Sequence, residues 1–186
     1  AITNQFYLIA KSAGLDYSRI LEGMKHNYPR AKGIPTPGFA AGPCLVKDTM
    51  QLLAFARNEF ALGNAAIMVN EGLPLHIIAD LRRDFDLANM TVGLLGMAFK
   101  AESDDIRASL SYKFKKALNG HCKAVLTTDP FVSPALDPDL RPLEDIIAKS
   151  ALMILCAPHA AYRSADFAGK PVFDVWGQLQ GDSIIK

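Results

Sequence analysis

Four short apolar runs divide the second half of the chain: Thr91–Leu95, Ala124–Thr127, Ala151–Cys156 and Val172–Asp174. Runs of this length and composition fit strands buried on both faces. Helix-patterned stretches lie between them, from about Ile106 to Leu118 and from Leu143 to Lys149, the first capped by Asp104 or Asp105. Strands alternating with helices predict an α/β fold, a doubly wound parallel sheet with right-handed crossovers. Ligands of such sheets bind beyond the carboxyl ends of the strands. That rule assigns the loops 96–105, 127–131 and 157–160 to the ligand side. The Pro-rich stretch Pro130–Pro142 reads as a surface connection.

The first half, to about Ala88, reads as helical. Ile2, Phe6, Ile9 and Ala10 recur at helical spacing, and Gly14 follows as a stop. Asp16 can cap a short second helix with Ile20, Leu21 and Met24 on one face. Tyr28 to Pro43, rich in Pro and Gly, is a loop. Leu45 to Leu62 carries an apolar stripe of Leu52, Leu53, Phe55, Ala56 and Phe60, and Gly63-Asn64 breaks it. Ala65 to Phe85 is then a long helix, with Ile67, Met68, Leu75, Ile78, Ala79 and Leu81 as its buried side and Pro74 as a kink. Its length points to an intersubunit or interdomain helix. The boundary near residue 88 divides a helical part, 1–88, from a sheet part, 89–186. Because helical sequence is already running at Ala1, a piece of a longer polypeptide is expected.

Composition narrows the function. Half the residues are hydrophobic and 21% are charged, the balance of an ordinary globular protein. A formal charge of +1, with no block of Lys and Arg, argues against nucleic acid as the main partner. No apolar run reaches membrane-spanning length, so no membrane role is expected. The chain carries 3 cysteines with no tight spacing, which make neither a disulfide framework nor a zinc site. No secretory leader is legible, and a reducing cytoplasm is the expected setting.

The stretch with the most chemistry runs from Gly38 through Phe39 and Gly42 to Cys44, Lys47 and Asp48. If a helix begins near Leu45, Cys44 sits at its mouth with Lys47 and Asp48 in the first turn. A helix N-terminus and a neighbouring lysine both favour a thiolate, and a carboxylate can hold a proton or a water. That is a layout for an activated nucleophile, although a lone cysteine is also a small buried hydrophobe. The loop Gly93–Lys100 is not a G-x-G-x-x-G, and its glycines equally permit close strand–helix packing. Lys100 is placed to hold a phosphate or a sugar hydroxyl, or to be a solvated surface lysine. Arg107 stands in a first turn, against the macrodipole, which favours a ligand or interface role. His159 reads as a structural hydrogen-bonder more readily than a catalyst, and Trp176 as packing.

Two of these stretches resemble one family. Gly38 to Leu52 resembles the nucleophile motif of the UDP-glucose/GDP-mannose dehydrogenases, and GLLGMAFKAESDDIRAS, Gly93 to Ser109, resembles the opening of their nucleotide-sugar domain. Asp129-Pro130 and Pro158-His159 fit the same pattern. The resemblance implies a helical dimerisation region followed by a Rossmann-like domain for UDP or GDP, without the N-terminal NAD domain. It also implies that the start of the long central helix, with the family's catalytic lysine and asparagine, is missing. Asn4 falls in a later segment. The implied parent reaction is an NAD-dependent double oxidation of a sugar C6 alcohol to a carboxylate, through a cysteine thiohemiacetal and thioester. Carried over by position, Cys44 is the nucleophile, Asp48 orients water and Lys47 adds positive potential. Phe99 and Lys100 contact the UDP- or GDP-sugar, the loop with Gly38, Phe39 and Gly42 wraps it, and Arg30 reaches a partner subunit's substrate. Arg107 reaches the NAD, and a homodimer forms through the helix at 65–85.

The chain departs from the pattern at Val46, where proline is usual, and in a loop from Arg30 to Cys44 that is about two residues short. Trp176 stands where many members place a substrate-binding arginine. A binding or dimerisation module without catalysis is the alternative reading, because a fold does not fix a function.

Overall fold

The computed structural model describes residues 1–186. Helices come first: α1 (Ile2–Ser12), α2 (Tyr17–Lys25), α3 (Pro43–Phe55) and α4 (Ala61–Asp84). The sheet part follows as β1 (Thr91–Leu95), α5 (Leu110–Leu118), β2 (Ala124–Thr128), α6 (Leu143–Lys149), β3 (Leu152–Leu155), β4 (Val172–Phe173) and β5 (Ile184–Ile185). The strands form one five-stranded sheet in the order β2-β1-β3-β4-β5. Every pairing is parallel, with Leu95 opposite both Thr128 and Leu155. From β1 the chain winds outward to β2, then crosses back to β3 on the other side of β1. The switch point therefore opens between the carboxyl ends of β1 and β3, where a ligand crevice belongs.

Apolar side chains cover both sheet faces. One cluster joins Val92, Leu94 and Ile154 to Leu110, Phe114 and Leu118 of α5, to Leu73, Ile77, Ile78 and Leu81 of α4, and to Tyr7 and Tyr17. The other packs Leu95, Met153 and Leu155 under Ile146 of α6, with Tyr162 and Val172. The first cluster runs without a break from the helices into the sheet. No helix is long and apolar enough to cross a membrane.

Several sequence expectations are corrected. The break between α3 and α4 lies at residues 56–60, not at Gly63-Asn64. Arg57 and Asn58 take left-handed φ values of 50° and 68° there. Gly63 lies inside α4, where the Phe60 ring occupies the space a Cβ would need. The buried side of α4 is Leu73, Pro74, Ile77, Ile78 and Leu81, whereas Met68, Leu75 and Ala79 are exposed. Of the α3 stripe only Leu53 is buried, and on α1 Ile2, Phe6 and Ile9 are exposed. Helix α5 starts at Leu110 under a Ser109 cap, not near Ile106 under Asp104 or Asp105. The short β5 has no counterpart in the sequence reading. Asp16 does cap α2, its Oδ1 accepting from the N–H groups of Ser18 and Arg19.

Candidate functional site

The chain after the loop of residues 32–42 turns into α3 with Pro43 in its first turn, a position that tolerates the missing N–H. Gly42, at the N-cap, offers no side-chain acceptor, so the first-turn N–H groups of α3 stay open to negative charge. Cys44 is exposed there. Lys47 and Asp48 lie three and four residues on, along the same helix face. They pair with each other at 3.3 Å while both remain about two-thirds exposed, at 63% and 65%. Burial pushes the thiols of Cys122 and Cys156 up, leaving Cys44 as the exposed cysteine.

The loop after β1 meets this helix. A Cβ on Gly42 would lie 3.1 Å from the Phe99 ring, so that ring rests on the Gly42 backbone at the mouth of α3. Lys100 is exposed beside it, with Nζ 5.5 Å from the ring centroid. Arg107 is exposed and forks onto Asp105 through Nε at 3.0 Å and Nη2 at 2.7 Å. The Arg107 guanidinium holds the Asp105 carboxyl down to about 2, and Asp105 in turn raises Arg107. The Phe99 N–H donates to the Asp105 carbonyl at 2.9 Å, which ties this ion pair to the ring over Gly42. Cys44, Phe99, Lys100 and Arg107 thus share one region at the carboxyl edge of the sheet.

Three further sequence candidates have other surroundings. Phe39 is buried, edge-on to Phe114 with centroids 5.5 Å apart, so its ring belongs to the core rather than to a ligand. Gly38 has φ +145° and lies under the Trp176 indole, which leaves no room for a side chain. Arg30 lines a different groove of about 780 Å³ with Ile2, Ile34, Leu62 and Val69. The lining of that groove holds no cysteine, histidine or carboxylate.

Periodicity gave no sign of two clusters that position these loops. The Asn4 side chain brackets Gly38, Oδ1 accepting from its N–H at 2.8 Å and Nδ2 donating to its carbonyl at 3.0 Å. Asn4 Nδ2 also reaches Asn70 Oδ1 at 3.0 Å. Trp176 covers the same glycine and donates from Nε1 to the Cys156 carbonyl at 3.2 Å. The second cluster is Asp129 and His159, whose side chains are both fully buried. Asp129 Oδ2 accepts from the N–H groups of Met97 at 2.6 Å and Ala98 at 3.0 Å. Burial pushes the Asp129 carboxyl up, but the bonds from His159 and the backbone outweigh it and bring it to about 2.

The loop after β1 leaves no room for a dinucleotide. Gly93 is closed off by Ile146, Ser150 and Met153, and a Cβ on Gly96 would lie 2.6 Å from Ala157. The N–H groups of Met97 and Ala98, which could take a phosphate, already hold Asp129. No helix starts until Leu110. These residues do not fit a resident NAD pyrophosphate. No three His, Cys, Asp or Glu side chains gather into a metal site.

A parallel sheet wound in the order β2-β1-β3-β4-β5, with its switch point between β1 and β3, is a Rossmann-like fold. Residues 93–181 match the UDP-binding domain of the UDP-glucose/GDP-mannose dehydrogenase family. A UDP-N-acetyl-D-mannosamine dehydrogenase of Pyrococcus horikoshii is 30% identical over 90% of this chain and 40% of its own. A UDP-glucose 6-dehydrogenase of Haloferax volcanii is 34% identical over 70% of this chain and 31% of its own. The solved structure of a UDP-D-ManNAc dehydrogenase from Pyrococcus horikoshii superposes with a TM-score of 0.80 at 26% identity, covering 96% of this chain and 44% of that one. The chain belongs to the UDP-glucose/GDP-mannose dehydrogenase family, and it spans less than half the length of these relatives.

Proposed function

We propose that this chain is the C-terminal portion of an NAD-dependent nucleotide-sugar 6-dehydrogenase. In this reading residues 1–88 form the central helical region and residues 89–186 the nucleotide-sugar domain. The observation that carries the reading is the seat of Phe99 on Gly42, which couples an exposed thiol to the carboxyl edge of the sheet. The sugar C6 alcohol is first oxidised to the aldehyde. Cys44 Sγ then adds to the carbonyl carbon while the oxygen gains a proton, giving a thiohemiacetal. Its oxidation leaves a thioester, and water releases the carboxylate and restores the thiol. NAD, when bound, is the acceptor of the two hydrides, held mainly outside these residues.

The uncapped first turn of α3 favours the oxyanion that develops as Sγ adds to the carbonyl carbon. Lys47 adds positive potential, and Asp48, one turn beyond Cys44, orients the hydrolytic water. Phe99 and Lys100 face the UDP- or GDP-sugar. Arg107, pointing away from the core, is available to the dinucleotide. The exposed Met68 and Leu75, two turns apart on one face of α4, support a homodimer through that helix. The test pairs two measurements. Calorimetry of the chain is expected to show binding of UDP or GDP without NAD. Cys44→Ser in the complete enzyme is expected to end carboxylate formation; undiminished turnover would sink the reading.

A further inference from the structure

The buried Asp129–His159 pair is more than a filled cavity. Asp129 Oδ1 accepts from the N–H groups of Phe131 at 2.8 Å and Val132 at 3.0 Å, while Oδ2 takes those of Met97 and Ala98. One carboxylate thus fills four main-chain donors, the role a phosphate plays in a nest of backbone N–H groups. Glu102 N–H donates to His159 Nδ1 at 2.9 Å, so Nδ1 presents a lone pair and the ring proton lies on Nε2. Nε2 stands 3.1 Å from Asp129 Oδ2. Glu102 Oε1 closes the circuit by accepting from Ala160 N–H at 2.7 Å. Phe131 stacks on the imidazole at 5.1 Å, and Tyr162 meets it edge-on at 5.8 Å. The loop after β1 is therefore tied at Met97 and Ala98 and again at Glu102. Phe99 and Lys100 lie between the two ties.

We infer that Asp129 and His159 are positioning residues of the nucleotide-sugar site, Asp129 as an internal anion and His159 as the group that orients it. Together they seat Phe99 on Gly42, hold Lys100 at the rim, and keep external phosphate off the β1 loop amides. The substrate's diphosphate is then recognised by side chains, Lys100 first, and not by that backbone nest. The inference rests on the reading of Phe99 and Lys100 as substrate contacts. Neither positioning side chain reaches solvent, so neither touches the substrate.

The experiment reads amide hydrogen exchange at Met97, Ala98 and Glu102 together with UDP affinity. The samples are the unaltered chain, Asp129→Ala, Asp129→Asn, His159→Asn and His159→Gln. Losing a charged acceptor for buried N–H groups is expected to speed exchange at Met97 and Ala98, and to weaken UDP, by about tenfold or more in Asp129→Ala. Formate, a carboxylate small enough for the vacated space, is expected to restore both. His159→Asn keeps an acceptor near the Nδ1 position and should spare Glu102; His159→Gln keeps a donor near Nε2 and should spare Met97 and Ala98. Unchanged exchange in all variants overturns the inference. So does released exchange with unaltered UDP affinity, or indifference to formate. If Asp129→Ala does not fold, Asp129→Asn and the two histidine variants decide alone. If the unaltered chain binds no UDP, the proposed function fails, while exchange still decides whether the pair holds the loop.

Discussion

The loop after β1 and the helix α3 meet at Phe99 and Gly42, yet they are built in opposite ways. The loop takes its shape from buried partners: Asp129, His159 and the backbone of Ala157. Helix α3 buries Leu53 alone and exposes Leu45, Met50, Leu52 and Phe55, the last at 86%. Its side chains Cys44, Lys47 and Asp48 are exposed as well. The loop is a finished piece of interior, and the helix is a surface that presents chemistry. Burial fixes one side of the junction and exposure marks the other, with two residues joining them.

The comparison can be broken or sharpened by substitution. Phe114, fully buried beneath Phe39 and the sheet, is expected to lose about 3–5 kcal/mol on Phe114→Ala in denaturant unfolding. Phe55→Ala on the exposed side should change stability by no more than about 0.5 kcal/mol. Equal losses would erase the contrast. Asn4→Ala strands a buried N–H and carbonyl of Gly38, and about 1–3 kcal/mol should disappear.

Acid supplies a subtler test. The folded Asp129 carboxyl, at about 2, lies below its ordinary 3.8, so its contribution is complete above pH about 4 and is lost as pH falls toward 2. The contribution is about 2 kcal/mol, and Asp129→Asn should lack that part of the pH dependence in acid unfolding. At the bottom of the scale stands the Lys47–Asp48 pair. A double-mutant cycle should give it less than about 0.5 kcal/mol, as for other solvated pairs. A larger coupling would mean that α3 is more ordered by its own charges than its exposure implies.

Much of this architecture was legible. Strands such as Thr91–Leu95 are short apolar runs that fit the centre of a parallel sheet and little else, and Asp16 announces α2 through an N-cap preference. Helix α4 was harder because it is apolar almost all round. Leu73, Ile77 and Leu81 face the core while Leu62, Met68 and Leu75 face out, so periodicity alone does not choose between them. The α3–α4 junction misled for another reason: Gly63 serves the Phe60 ring rather than a turn. Helix α5 cannot reach back to Ile106 because Ala108 takes a left-handed φ of 52°, so Ser109 becomes the cap. Asn4 and Gly38 lie 34 residues apart and Asp129 and His159 lie 30 apart, so only the tertiary fold brings them together. The Gly38–Asp48 segment stood out by its residues, but its contact with Phe99 did not.

Trp176 is the only tryptophan in the chain. Its indole leans on the backbone of the loop that leads to Cys44, and its N–H is anchored to the strand end at Cys156. The protein thus carries a native fluorophore at the junction of its helical and sheet halves. Any event that lifts Gly38 away would wet the indole and shift its emission to longer wavelength. Loop opening can therefore be followed in real time, without a label, from within the molecule.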